Sequence, residues 1–174
     1  MKIIKYFFEF IFVILLFFIF KIIGYKNASN FGEIIGRTIG PFFRSNIKVN
    51  ENLKNSNFGN TDEDRKIIIK KMWGNYGRIF AEYMYLEKFR NNILSKNINI
   101  RGEKILHELK DKKEPVIFIS GHFNNFELMA MHLEKFGINL ATIYRPLNNI
   151  FLNPIMVKIR KNYICREQIK KGRS

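Results

Sequence analysis

The chain has 174 residues, of which 47% are hydrophobic, so it can bury the core of one compact domain and is not a disordered chain. Its formal net charge of +15 favours an anionic partner, such as phospholipid headgroups, a phosphorylated glycolipid, an acidic carrier protein or nucleic acid. The single cysteine, Cys165, excludes an internal disulfide and a multi-cysteine zinc site.

The first predicted element is an apolar helix over residues 6–23, with lysines on both sides. A membrane span needs about 20 mostly apolar residues, and Glu9 interrupts this stretch near one end, where a carboxylate can stay at the interface. A cleaved signal peptide is the alternative, but no site of small residues follows closely. We therefore predict an uncleaved transmembrane anchor over residues 1–24. Because lysines flank both ends, charge bias leaves its orientation open.

Residues 25–96 are predicted to be helical and close to the membrane. Residues 31–43 are typical of a short amphipathic helix that stops near Gly40-Pro41. A further short helix is indicated between residues 44 and 60, where Val49 and Leu53 have the spacing of one buried stripe. Thr61, followed by three acidic residues, predicts the start of a helix that runs roughly to Leu86. Its apolar face is expected to contain Ile68, Met72, Tyr76, Ile79 and Tyr83.

The hydrophobic period changes in the second half of the chain. Residues 97–101 alternate as in a short strand, and residues 103–109 favour a short helix. Residues 115–120 form a continuous apolar run that predicts a buried strand. A helix over 125–136 and a strand over 138–144 follow. A strand, a helix and a strand in this order indicate a parallel α/β layer.

The candidates for chemistry are His122 and Glu127, a His-x-x-x-x-Glu pair that follows the predicted buried strand. Ligands bind beyond the carboxyl ends of strands in open α/β sheets. On one continuous helix the two side chains would point about 140° apart, so they meet only if His122 lies on the turn and Glu127 in the next helix. Glu127 would then fix the imidazole tautomer and leave the other nitrogen to take a proton from a hydroxyl. The spacing by itself is common and usually inert.

The order of the motifs along the chain is a more specific signal. Residues 115–128 resemble the active-site block of the bacterial lipid A biosynthesis acyltransferases, the lauroyl/myristoyl transferase group. Residues 144–149 resemble a second block of that family, and Arg160 stands at the place of a downstream arginine. Two positions depart from the family pattern, since Asn124 replaces the usual glycine and Phe126 the usual tryptophan. Further landmarks lie upstream: Asn52-Leu53, Trp73 to Arg78, and Gly102-Glu103.

The resemblance implies an α/β fold class. An N-terminal membrane helix and amphipathic helices would precede an αβα acyltransferase domain of the glycerolipid-acyltransferase type, over residues 97–174. Members of the family are close to twice as long as this chain, so the resemblance implies an N-terminal part whose αβα domain is incomplete. A fragment or a truncated gene model would explain that difference.

The resemblance also implies a reaction and roles for residues. A fatty acyl chain would move from acyl carrier protein, or acyl-CoA, to a hydroxyl of a lipid A precursor, at the cytoplasmic face of the inner membrane. His122 would be the general base and Glu127 its partner, with Arg160 as a further catalytic residue. Three residues would bind substrate: Asn125, Arg145 and Arg166. The acidic carrier protein or phosphorylated glycolipid would meet a basic tail of Lys158, Arg160, Lys161, Arg166, Lys170, Lys171 and Arg173.

Several alternatives stay open from the sequence. A glycerophospholipid acyltransferase has similar chemistry, but usually carries Asp at the position of Glu127. A basic, non-enzymatic membrane lipid-binding protein would also suit the charge, which an AT-rich genome can produce without any function. Nucleic-acid binding is disfavoured because no recognised module is present. We predict no cofactor and no metal site, since His122 and Glu127 are only two ligands. His107, His132, Trp73 and Cys165 are interpreted as structural.

Overall fold

A computed structural model of the chain describes residues 2–43, 46–56, 58–112 and 114–172. The chain forms two units, one of residues 16–85 and one that combines residues 1–15 with residues 86–174. These units differ from the division at residues 24 and 96 expected from the sequence, which stays a prediction. Arg173, a member of the predicted basic tail, lies outside the described residues.

Helix α1 spans Lys2–Ile23 and confirms the predicted apolar helix. Among the described residues it is the one helix that is long and apolar enough to cross a membrane, with a mean hydropathy of 2.5. Gly24, at φ +82°, separates it from α2 in a left-handed conformation that favours glycine. Length and composition alone make α1 compatible with a membrane anchor.

Helix α2 (Tyr25–Phe43) is longer than the amphipathic helix predicted over residues 31–43 and continues through Pro41. The predicted stop near Gly40-Pro41 is therefore wrong. The indole ring of Trp73 occupies the space where a side chain at Gly40 would lie, so tertiary packing covers this last turn of α2. Proline inside a helix removes one backbone hydrogen bond, and tertiary packing of this kind can offset that cost.

Helices α3 (Asn46–Asn55) and α4 (Asp62–Glu82) complete the unit of residues 16–85. The predicted start of α4 is confirmed, because Thr61 forms a capping box with Asp64. The Thr61 hydroxyl accepts the Asp64 backbone N–H at 3.1 Å, and the Asp64 carboxylate accepts the Thr61 N–H at 3.1 Å. α4 ends at Glu82, and a 3-10 turn over Tyr83–Tyr85 follows, so it is slightly shorter than predicted.

Glycines bring the backbones of α2 and α4 into close contact. A β-carbon at Gly32 or Gly36 would overlap the backbone of α4, and one at Gly77 would overlap the backbone of α2. Tyr76, assigned to the buried stripe, is 46% exposed. Spacings of four between small residues let two helix backbones approach closely, which a search for large apolar side chains does not detect.

The second unit contains helices α5 (Leu86–Arg90), α6 (Glu103–Lys112) and α7 (Glu127–Lys135), then strand β1 (Ala141–Tyr144), helix α8 (Leu152–Tyr163) and strand β2 (Glu167–Lys170). Strands β1 and β2 are parallel, with Ala141 opposite Glu167 and Tyr144 opposite Lys170. The crossover through α8 makes a βαβ unit. A strand, a helix and a parallel strand are thus present in this unit, two elements later along the chain than the sequence indicated.

Two predicted strands are wrong. Residues 98–102 have no regular structure after a 3-10 turn at Ser95–Asn97, and residues 115–120 are extended but unpaired. Ile117 is 88% and Ile119 93% exposed, so the run is not buried. A buried parallel strand needs hydrogen-bonded neighbours and helices on both faces. Within the described part of the chain, the sheet consists of β1 and β2, and neither pairs with this run.

Candidate active site

The turn over residues 121–126 joins the extended run to α7. Asn124 has φ +46°, in the left-handed region that glycine and asparagine tolerate best. This conformation explains why asparagine can stand where the resembled family has glycine. Gly121 lies directly against the ring of Phe123, where a β-carbon would overlap it. The turn therefore depends on a residue without a side chain at 121 and on one that accepts positive φ at 124.

Glu127, the first residue of α7, is paired with Arg160 in the C-terminal half of α8. Arg160 donates to Glu127 Oε1 from Nε at 2.9 Å and from Nη2 at 2.7 Å. The Glu127 side chain is 8% exposed and that of Arg160 is 20% exposed. A buried carboxylate needs such a charged partner. Arg160 thus lies beside Glu127, one member of the predicted pair, from which it is 33 residues away along the chain.

His122 lies on the turn, as the pair geometry requires, and its imidazole is exposed. Its ring contacts the ring of Phe126 at 4.3 Å between centroids. No hydrogen bond joins the imidazole to the parts of the chain that the structure describes. The structure therefore brings Glu127 together with Arg160 and leaves His122 facing solvent on the preceding turn.

The three predicted substrate-binding residues occupy different places in this unit. Asn125 is half-buried on the turn, and Arg145 is exposed directly after β1. Arg166 is 82% exposed, with its Nε 3.8 Å from Glu134 Oε1. Of the three, Asn125 shares the turn with His122, whereas Arg166 lies near the C-terminal half of α7.

Two polar groups were missed by reasoning from the sequence. Glu134, with a side chain 13% exposed, pairs with Arg90 Nη2 at 2.6 Å and accepts the backbone N–H of Arg166 at 2.9 Å. Arg90 also donates to the carbonyl of Tyr163 at 3.2 Å. Asn149 is buried and hydrogen-bonds two segments of the chain. These partners are far apart in the sequence, so no local spacing of residues indicated that they interact.

The remaining candidates carry no site chemistry. Burial raises the pKa of the Cys165 thiol, which donates to the Leu140 carbonyl at 2.9 Å, and a protonated thiol is a poor nucleophile. The described residues contain no group of three or more His, Cys, Asp or Glu that could hold a metal ion. A shallow surface depression in the other unit is lined by Phe58, Gly59, Asn60, Asp64, Ile67 and Ile68, none of them a predicted site residue.

A family model described as "Bacterial lipid A biosynthesis acyltransferase" matches residues 1–166, which is nearly the whole chain. The matched region includes the unit of residues 16–85, most of the other unit, the turn at His122 and the Glu127–Arg160 pair, and ends before β2. No curated protein and no solved structure matches the chain.

Proposed function

This chain belongs to the bacterial lipid A biosynthesis acyltransferase family, and we propose that it moves a fatty acyl chain from acyl carrier protein, or acyl-CoA, to a hydroxyl of a lipid A precursor. The observation that carries this proposal is the buried Glu127–Arg160 pair, placed directly after the turn that exposes His122. An exposed imidazole is open to the hydroxyl of a bound acceptor, as general-base catalysis requires.

In the proposed reaction, His122 takes the proton of the acceptor hydroxyl while the hydroxyl oxygen attacks the thioester carbonyl. The C–S bond then breaks, and the departing thiolate takes the proton back from the imidazolium. The acyl chain ends on the acceptor oxygen, and the carrier leaves as a thiol. No covalent enzyme intermediate is needed, and general-base catalysis of this kind contributes roughly 10²–10⁴ in rate.

Glu127 and Arg160 have distinct parts in this proposal. Arg160 holds Glu127 through two bonds to one oxygen, Oε1, and so keeps the carboxylate next to the turn. Rotation of the exposed imidazole towards Glu127 when substrate binds would complete the predicted pair. Catalytic hydrogen bonds are often long or absent before substrate binds. Arg145 and Arg166, both exposed, are proposed to contact the phosphate groups of the acceptor, with Asn125 as a further substrate contact.

The proposed partners follow from charge. Acyl carrier protein and a phosphorylated glycolipid are both acidic, whereas the chain has a net charge of +15. The described part of the basic tail contains Lys158, Arg160, Lys161, Arg166, Lys170 and Lys171. We place the protein at the inner membrane through α1, as a single-pass protein with its site at the cytoplasmic face. The αβα architecture implied by the resemblance is likewise a proposal beyond the βαβ unit.

The direct test is acyl transfer by membranes that contain the full chain. Labelled acyl carrier protein is supplied with a lipid A precursor or, separately, with lysophosphatidic acid. We expect label in the lipid A precursor, and a loss of about 10² or more in rate for His122→Ala. His107→Ala is the matched control, because His107 lies on α6 with its ring against Phe136. That variant should keep the wild-type rate.

Three outcomes would contradict the proposal. Acylation of lysophosphatidic acid alone would make the protein a glycerophospholipid acyltransferase. An unchanged rate of acyl transfer in His122→Ala would show that His122 is not the general base. Lipid binding without any acyl transfer would favour a lipid-binding protein.

A further inference from the structure

Helix α1 contains one carboxylate, Glu9, in an otherwise apolar surface. A charged side chain in a helix of this composition is costly in lipid and usually marks a functional contact with a nameable partner. Glu9 has a Lys5 ammonium 3.7 Å away, but that lysine is 72% exposed. The contact of interest is instead with Asn149, whose Nδ2 donates to Glu9 Oε2 at 3.2 Å.

Asn149 uses both ends of its amide to join two helices. Its Nδ2 also donates to the carbonyl of Tyr6 at 2.8 Å, so the amide nitrogen is bound to α1 twice. Its Oδ1 accepts the backbone N–H groups of Phe151 at 3.1 Å and Leu152 at 3.2 Å. Those N–H groups belong to the start of α8, where the first donors have no partner inside the helix. Asn149 is 7% exposed, so its bonds are shielded from water.

Aromatic rings flank this polar contact on one side, and the Glu9 side chain stays 41% exposed. The ring of Phe151 meets that of Phe7 at 5.9 Å and that of Phe10 at 5.9 Å between centroids. Phe7 and Phe10 flank Glu9 in α1, and Phe151 lies two residues after Asn149. A hydrogen bond in such apolar surroundings is stronger than one in water, and an unsatisfied group there is costly. The N-terminal half of α1 is therefore docked on the residues that begin α8, through both polar and aromatic contacts.

We propose that Glu9 and Asn149 are a positioning pair, through which the apolar helix α1 sets the start of α8 and hence the place of Arg160 beside Glu127. Arg160 lies eight residues after Leu152 on the same helix, about 12 Å along its axis. If α1 moves away, Asn149 loses both acceptors and no longer holds its Oδ1 against the first N–H groups of α8. α1 is then a working part of the site-bearing unit, and not a detachable anchor. This inference rests on the proposed function, because it gives Arg160 and Glu127 their importance.

Docking is tested first, without reference to activity. In full-length protein with Cys165→Ser, which leaves no native thiol, the double variant E9C/N149C should be joined in membranes by a short bifunctional maleimide, which spans more than a disulfide does. The matched control is F8C/N149C, because Phe8 directly precedes Glu9 but is 67% exposed on another face of α1. We expect crosslinking in the first variant only. Failure of E9C/N149C to crosslink, or equal crosslinking in both, overturns the docking.

Positioning is tested by rate, with acyl transfer in membranes and the amount of membrane-bound protein measured for each variant. Glu9→Leu and Asn149→Ala should stay in the membrane and lose kcat by about tenfold, with the KM for the acyl carrier little changed, because a displaced charged group misplaces the reacting atoms. Glu9→Gln keeps an oxygen that can accept from Asn149 and should remain close to wild type. A plain anchor predicts the reverse order, since leucine suits lipid better than glutamine does.

A swap of donor and acceptor gives the sharpest check. Asn149→Asp places a carboxylate against Glu9 and should be slow. In E9Q/N149D the introduced amide can donate to the introduced carboxylate, so part of the rate should return. Wild-type rates in Glu9→Leu and Asn149→Ala overturn the positioning role. If the wild type acylates no lipid A precursor, the proposed function fails, and with it the role given to Arg160, whereas crosslinking still decides the docking.

Discussion

In the unit of residues 16–85, helices α2 and α4 approach so closely that Gly32, Gly36 and Gly77 have no room for a side chain. In the site-bearing unit, the most apolar extended stretch, residues 115–120, is exposed and unpaired. The backbone is therefore closely packed in the first unit and exposed along this run of the second. A helix satisfies its own N–H and C=O groups, so two helices need only matching surfaces. A segment outside helices needs neighbouring strands to satisfy its backbone groups only when it is buried, and in an exposed run water can bind them.

The difference extends to the polar groups of each unit. Ser29 donates to Glu82 Oε1 at 2.9 Å between α2 and α4, and Arg78 binds Ser29 and pairs with Glu33 on the same surface. In the site-bearing unit the pairs instead join α7 to α8 and to α5, through Glu127–Arg160 and Glu134–Arg90. Polar contacts reinforce a close backbone contact in one unit. In the other they add to a buried apolar core, and we expect the two units to differ in how much stability the loss of a polar pair removes.

The largest effect is expected from Arg160→Met. It leaves the buried Glu127 carboxylate without its charged partner and should lower the free energy of unfolding by about 3 kcal/mol. Urea unfolding of the full chain in detergent micelles measures the loss. Arg166→Met is the control, because its side chain is 82% exposed and 3.8 Å from Glu134, and surface pairs contribute little. Equal losses in both variants would show that the Glu127–Arg160 pair does not hold this unit together.

A smaller loss is expected from Gly77→Ala in the helical unit. Glycine to alanine inside a helix normally stabilises it by up to about 1 kcal/mol, but here the β-carbon would overlap the Gly32 carbonyl and should cost about 1–3 kcal/mol. Gly74→Ala is the control in the same helix, because its closest neighbours are movable side-chain atoms of Arg37 and Glu33. The same unfolding measurement separates them. A stabilised Gly77→Ala variant would mean that α2 and α4 are not in close contact.

Thr61→Ala removes the capping box of α4 and should cost about 1 kcal/mol. The side-chain hydrogen bond with Thr61 lowers the pKa of Asp64 below its ordinary value. A lowered folded-state pKa adds stability above the unfolded pKa of about 4, and this stability is lost as the pH falls through the folded-state pKa. The wild type should therefore lose more stability than Thr61→Ala between about pH 5 and pH 2. Thr38→Ala, at an exposed hydroxyl bonded to Ile34 O, should leave that acid dependence unchanged.

The smallest effect is expected at Ile119, which is 93% exposed. Ile119→Lys should change the free energy of unfolding by no more than about 0.5 kcal/mol, as surface substitutions usually do. Ile79→Lys, at a position 7% exposed in α4, should be strongly destabilising because it buries an unpaired charge. If the two variants are equally destabilised, residues 115–120 are buried, and the contrast between the units disappears.

Local features of the fold were predictable from the sequence. The capping box at Thr61, the apolar helix α1 and the helix that begins near Glu127 depend on residues within a few positions of one another. The strand prediction for residues 115–120 failed for a related reason. An apolar, β-branched run indicates that a segment can form a buried strand. Whether it does so depends on neighbouring strands, which lie elsewhere in the sequence.

For the candidate site, the sequence by itself located His122 on a turn and Glu127 at the start of the next helix, and the order of motifs identified the family. Only the tertiary structure decided that Glu127 is held by Arg160, that Asn149 joins α1 to α8, and that glycines make the contact between α2 and α4. The physical reason is the distance along the chain between the residues that interact. Caps, turns and periodicity are set by neighbours along the chain, whereas these pairs join residues 33 to 143 positions apart. The contact between α2 and α4 joins two backbones at glycines, which have no side chain to indicate it.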